Sequence, residues 1–248
     1  MRNKKILSLV VVLAGIACSA YLLLSNQNVG AKSLTITGSE RTNGRFVDIN
    51  KEPVPSLNEP NFNATDQTVK AYELAIFENN KGKKSGDKIS LPNEIEIQNI
   101  IQKYTTQPIV SKTYERKDII INKTSSLSEL SSYIKSIENE EIETQRKAPT
   151  NIASAIALFV SEKKSDELQK HINSQTEYID FLLKKPVIPE WENFHLALLN
   201  NAERKRTLSL IILENPDDPI KTIAVIDNLS KLITNEEMIW NSALSSLQ

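Results

Sequence analysis

The chain has 248 residues, with 30 Lys+Arg against 31 Asp+Glu and one cysteine. That length suits one ordinary domain plus a tail, or two small domains, and the near-neutral balance lacks the basic surplus that nucleic-acid binders use to release counterions. Six glycines occur and none follows Gly86, so the glycine-dependent dinucleotide fingerprint, the phosphate-cradling P-loop and the G-x-S-x-G nucleophile elbow are all missing.

The N-terminus is basic through Arg2, Lys4 and Lys5 and runs into nineteen uncharged, apolar residues at 6–24. As a helix this run would reach about 28 Å, close to the hydrocarbon thickness of a bilayer. The positive charges ahead of it keep the N-terminus cytoplasmic and send the rest outside. Residues 1–24 are therefore expected to be a single-pass membrane anchor with an extracytoplasmic body. Two rival readings cleave the segment. Val29-Gly30-Ala31 offers a signal-peptidase site, and Gly15-Ile16-Ala17-Cys18 resembles a bacterial lipobox, with Gly15 where leucine is usual, that would leave Cys18 lipidated. All three export the body. No cysteine follows Cys18, so the exported part has no disulfide framework and depends on its core.

Residues 25–62 carry Gly30, Gly38, Gly44, Pro53, Pro55 and Pro60 without helical periodicity, which reads as a flexible linker with a marginal hairpin around Asn43-Gly44. From Asn63 the pattern becomes helical. Thr65 or Asp66 is expected to cap a helix carrying Val69, Tyr72, Leu74 and Ile76, followed by a solvated loop at 81–86. A second helix starts near Pro92-Asn93 and aligns Ile97, Ile100, Ile101 and Tyr104 on one face. Residues 108–122 fit two short extended pieces. A helix then runs from Ser126 to about Ile142, with Ser128 and Glu129 near its cap.

Pro149-Thr150-Asn151 opens the longest candidate, residues 152–184, in which Lys163-Lys164-Ser165 marks a break into two helices as the alternative. Its second half places Leu168, Ile172, Gln175, Ile179 and Leu182 at spacings of four and three, a short heptad seam that serves core packing or a protein partner. Pro186 and Pro189 end it, and the next helix carries Trp191, Phe194 and Leu198, then a polar 200–206 stretch read as a solvated face, then Leu208, Ile211 and Ile212. Asp218 and Pro219 suit the cap and first position of a helix at 220–233. A last helix from Asn235 carries Ile239, Trp240, Ala243, Leu244 and Leu247, with Glu236-Glu237 in its first turn. The 220–233 segment is too short and too charged for a second span.

Chemistry-bearing constellations are sparse. His171 and His195 are the two histidines. Glu192-x-x-His195 has the spacing found in di-iron bundles, but the second such motif is missing, so His195 is expected to stack or hydrogen-bond at a helix surface. With Cys18 in the anchor, a Cys–His pair is excluded, whereas sequence spacing leaves a Ser–His pair open. Glu140-Glu141, Asp217-Asp218 and Glu236-Glu237 carry no specific glycosidase signal. Asn63-Ala64-Thr65, Asn122-Lys123-Thr124 and Asn228-Leu229-Ser230 are sequons. Trp191, Trp240 and Phe194 are expected in the core rather than in a ligand groove.

The stretch Val187-Ile188-Pro189-Glu190-Trp191-Glu192-Asn193-Phe194-His195-Leu196-Ala197-Leu198-Leu199-Asn200, followed by Asp218-Pro219-Ile220-Lys221, resembles a pattern in uncharacterised single-pass, membrane-anchored helical proteins of uncultivated bacteria with reduced genomes. Asn63-Ala64-Thr65-Asp66-Gln67 is similar to the start of the globular part there. The resemblance implies a bacterial origin and a helical extracytoplasmic body associated with secretion or pilus machinery, and it supplies no site residues.

The expected fold is mostly α, a bundle of six or seven helices with a minor extended element over residues 63–248, preceded by the anchor (1–24) and the linker (25–62). The expected function is binding without catalysis, as an accessory or scaffold subunit of a bacterial envelope assembly. No catalytic, metal or cofactor site is assigned. The partners are the membrane and an envelope protein, not nucleic acid, with homo-oligomerisation open. The alternatives are a helical module that binds a small molecule or peptide, and an envelope hydrolase.

Overall fold

A computed structural model describes residues 55–84, 86–122 and 127–245. The anchor, both cleavage motifs and the linker up to residue 54 lie outside the described residues, as do Lys123 and Thr124 of the second sequon. Seven α-helices follow in chain order among the described residues: α1 (Ala64–Asn80), α2 (Glu94–Thr105), α3 (Leu127–Lys147), α4 (Ile152–Glu162), α5 (Asp166–Lys184), α6 (Glu192–Glu214) and α7 (Pro219–Ser245). The domain is thus a mostly α-helical bundle. Residues 55–62, at the end of the segment read as linker, pack against it through the buried Leu57 and Phe62.

Three helices start on an asparagine whose side chain accepts the N–H three residues on: Asn63 from Asp66 at 2.9 Å, Asn93 from Glu96 at 3.1 Å and Asn151 from Ser154 at 2.8 Å. Each satisfies one of the amides that a helix start leaves without an intrahelical partner. At α2 the Glu96 carboxylate also accepts the Asn93 N–H at 2.7 Å, completing a capping box. The α1 cap is Asn63, not Thr65 or Asp66. Thr65 is committed to α7, because its hydroxyl donates to Asp218 at 2.7 Å and accepts the Ile220 N–H at 3.2 Å.

The 152–184 stretch does break at Lys163-Lys164-Ser165. Lys163 adopts a left-handed conformation with φ 56° and closes α4 by donating its N–H to the Phe159 carbonyl at 2.9 Å. Glycine is the usual residue there, and a chain without glycine after Gly86 places lysine in it instead. Further on, α7 is one helix of 27 residues, and the expected division between 220–233 and a separate helix from Asn235 does not occur. Glu236 sits in mid-helix as the ion-pair partner of Lys205 on α6, and Ala243 and Trp240 seat against the same core as α6. Tertiary pairing along α6 carries the helix through a local start signal.

The two extended pieces expected within 108–122 are not strands. Residues Arg116–Asp118 form a 3-10 turn, and Ile121 makes an isolated parallel bridge with Val187, held by Val187 N–H to Ile120 O at 2.6 Å and Asn122 N–H to Val187 O at 2.8 Å. Val187 lies between Pro186 and Pro189, which lack the amide that a longer ladder needs. α3 also runs five residues past the expected end, to Lys147, with Ser128 and Glu129 inside its first turn.

The core has three parts. The largest joins α3, α5, α6 and the end of α7 around Ile137, Leu182, Leu198 and Leu199, within which Phe194 meets Trp191 and Trp240 edge to face at centroid distances of 5.6 and 5.1 Å. A second joins α4, α5, α6 and α7 through Phe159, Leu168, Leu208 and Val225. A third seats Leu57, Phe62, Ala64 and Tyr104 on Ala224 of α7. The apolar positions of the heptad seam on α5 are all buried within the domain, which assigns them to core packing.

α6 lies at the centre, packed on α5 and α7, and this overturns the reading of residues 200–206 as a solvated face. Asn201, Ala202 and Glu203 are buried, and the Glu203 carboxylate is paired with the Arg206 guanidinium, whose Nη2 donates to both of its oxygens at 2.8 and 3.0 Å, charge-assisted bonds that make burial of a carboxylate tolerable.

Candidate ligand cleft

The histidines do different things. His195 is fully buried rather than at a helix surface. Its Nε2 faces the Leu182 carbonyl at 3.0 Å and its Nδ1 faces the Tyr133 hydroxyl at 2.5 Å. Because a carbonyl only accepts, Nε2 carries the proton and Nδ1 accepts from Tyr133. Burial lowers the His195 pKa from 6.5 to about 4 against the opposing pull of the Leu182 carbonyl, so the ring is neutral at physiological pH. Its motif partner Glu192 pairs instead with Arg116 at 2.7 Å. Among the described residues no group of three or more His, Cys, Asp or Glu side chains could hold a metal ion.

His171 lines a cleft in which polar side chains from four helices converge. The cleft, of about 160 Å³, is bounded by Glu141, Thr144 and Gln145 of α3, His171 and Tyr178 of α5, Lys205 and Ser209 of α6, and Leu229, Ile233 and Glu236 of α7. Lys205 ion-pairs with Glu236, both side chains being 17% exposed. Glu141 accepts the Trp240 indole N–H at 2.9 Å and the Gln145 amide at 3.4 Å, and a carboxylate with two such donors has acceptor capacity left. Burial, and then the Glu236 charge, push Glu141 above the ordinary carboxylate range.

Two hydroxyls on the lining, Thr144 Oγ1 and Tyr178 Oη, are buried and have no hydrogen-bond partner among the described residues. Their residues are 4% and 3% exposed. Burial raises the Tyr178 pKa well above 10, with Glu141 and Glu236 next in effect, which places the phenol within the field of both carboxylates. An unpaired buried hydroxyl costs roughly 1–3 kcal/mol. Two of them beside a carboxylate with spare capacity make a set of groups that a bound polar molecule would satisfy. His171 contributes a neutral ring, its pKa lowered chiefly by burial, fixed by Nε2 on the Thr150 carbonyl at 2.5 Å.

The carboxylate pairs divide. Of Glu140-Glu141 and Glu236-Glu237, one member each lines the cleft, whereas Asp218 of Asp217-Asp218 is a buried helix cap. Asn63 and Asn228 of the sequons bond to the Asp66 amide and the Ala224 carbonyl. Sequence reasoning missed the cleft because its lining spans nearly a hundred residues of chain, and on each helix alone it reads as an ordinary polar face, Glu141, Thr144 and Gln145 on α3 and His171, Ser174, Gln175 and Tyr178 on α5. Comparison with protein-family profiles, curated proteins and solved structures finds no match to this chain.

Proposed function

We propose that this chain acts by binding, as an accessory or scaffold subunit of a bacterial envelope assembly, held on the outer face of the membrane by residues 1–24. The uncharged run behind Arg2, Lys4 and Lys5 supports the tether. The observation that carries the partner contact is at one end of the α1–α2 hairpin, where Phe77, Ile89, Leu91 and Ile95 are 55, 73, 63 and 69% exposed. These residues share that end because Asn80 binds both backbone groups of Ser90, at 2.7 Å each, and Asn79 reaches Glu96 at 3.4 Å. Large apolar side chains grouped on a surface mark contact sites more often than isolated ones do.

Mild cross-linking of cells expressing the tagged full chain, followed by membrane extraction and mass spectrometry, tests this reading. A defined envelope complex recovered in stoichiometric amount, and lost in a Phe77→Ser/Leu91→Ser variant that still folds, is the expected result. Recovery of the chain alone, or of the same complex with the variant, would refute it. A second reading, a module that binds a small molecule, is favoured by the unpartnered Thr144 and Tyr178 hydroxyls.

A further inference from the structure

The charge lining the α3–α5–α6–α7 cleft does not close on itself. Glu141 and Glu236 contribute two carboxylates, and Lys205, already paired with Glu236, is the sole ammonium among the lining residues. Glu138 and Glu140 add further acidic field from α3, acting on Glu141 and Tyr178 respectively, and His171 is neutral. An anion would meet uncompensated like charge. A neutral molecule would leave Glu141 partly desolvated with only Lys205, already paired with Glu236, acting on it as counter-charge, a costly arrangement.

We propose that this cleft binds a small organic ammonium ion, a primary amine on a short apolar chain, with Glu141 as its counter-charge and the Thr144 and Tyr178 hydroxyls accepting its remaining N–H groups. The inference rests on the reading of the cleft as a binding site and names its ligand class. A primary ammonium has three donors, matching the three acceptors. The apolar chain would lie against Ala148, Ile152, Leu229 and Ile233, the aliphatic members of a lining that also includes Ser174 and Gln175. Size is bounded as well: about 160 Å³ is close to the roughly 150 Å³ of an apolar cavity that takes benzene, so the ligand has on the order of six heavy atoms.

The test is calorimetric titration of the full chain in non-ionic detergent with butylammonium chloride, 1-butanol and sodium butanoate, which share chain and size and differ in head-group charge. Butylammonium is expected to bind saturably and about tenfold or more tighter than 1-butanol, the ratio that one charge-assisted hydrogen bond sustains, with no binding of butanoate. Glu141→Gln keeps the side-chain volume and an acceptor for Trp240, and is expected to abolish the preference for the cation. Tyr178→Phe, which removes an unpaired buried hydroxyl, is expected to weaken butylammonium several-fold without loss of melting temperature. Equal binding of butylammonium and 1-butanol would overturn the ammonium inference while leaving a ligand cleft. Binding of none of the three, or butylammonium affinity unchanged in both variants, would overturn the cleft reading as well.

Discussion

Asp218 is the residue whose removal should be felt furthest away. Its buried carboxylate accepts the N–H groups of Ala64 at 2.7 Å, Thr65 at 3.2 Å and Lys221 at 3.0 Å, and the Thr65 hydroxyl at 2.7 Å. One side chain therefore caps α7 and also fastens the start of α1, more than 150 residues away in sequence. In Asp218→Ala, loss of the α7 cap costs about 1 kcal/mol, loss of the Thr65 contacts about 1 kcal/mol, and the buried Ala64 amide left without an acceptor about 2 kcal/mol, for a total of about 4 kcal/mol. Asn63→Ala, which removes the local cap of α1 alone, costs about 1 kcal/mol. Urea denaturation of the full chain at pH 7, followed by circular dichroism, measures both, and hydrogen exchange shows where the loss falls. Protection should collapse over α1 and α2 and persist in α5 and α6. The reasoning is refuted if Asp218→Ala costs no more than Asn63→Ala, or if the α1–α2 amides keep their protection.

Two further predictions concern His195 and Lys163. Between about pH 4 and 6.5 the unfolded chain holds a proton on His195 that the folded chain does not, so stability falls as pH is lowered through 6.5 and levels off near 4. The difference amounts to about 3 kcal/mol, and urea midpoints across that range should show it in the wild type and lack it in His195→Gln; an unchanged slope in the variant would assign the loss elsewhere. Lys163→Gly should stabilise by about 1 kcal/mol by relieving the left-handed backbone. Against this stands the loss of the exposed Lys163 contacts to the Pro216 carbonyl and Asp217, both at 2.8 Å. A net destabilisation on thermal melting would show that those contacts outweigh the strain.

Local chemistry was readable at most helix ends, though not at α1, where the cap is Asn63 rather than Thr65 or Asp66. The helix starts near Asn93 and Asn151, the break at Lys163-Lys164-Ser165 and the Asp218-Pro219 start of α7 all depend on side chains meeting backbone within a few residues. Reading failed where a partner from a distant helix decided the outcome. Glu236-Glu237 looked like a helix start because nothing nearby shows that Lys205 would claim Glu236 in mid-helix. The polar run 200–206 looked solvated because the burial of Glu203 depends on α6 lying between α5 and α7. His195 looked superficial because Tyr133, 62 residues earlier, encloses it. The cleft combines all three difficulties.

The way the chain enters the domain has a mechanical consequence. Ser56 and Leu57 bind the Pro108 carbonyl at 2.8 and 3.3 Å, and Asn58 exchanges hydrogen bonds with the Val110 backbone at 2.7 and 3.1 Å. A pull on the chain ahead of residue 55 loads these bonds first and the Asp218 fastening next, while α5, α6 and the cleft lie behind both. Tension would then be relieved by peeling α1 and α2 away, lengthening the strand that leads to the domain while the remaining helices keep their packing. Under such a load the N-terminal hairpin would yield before the helices around Lys205 and Glu141.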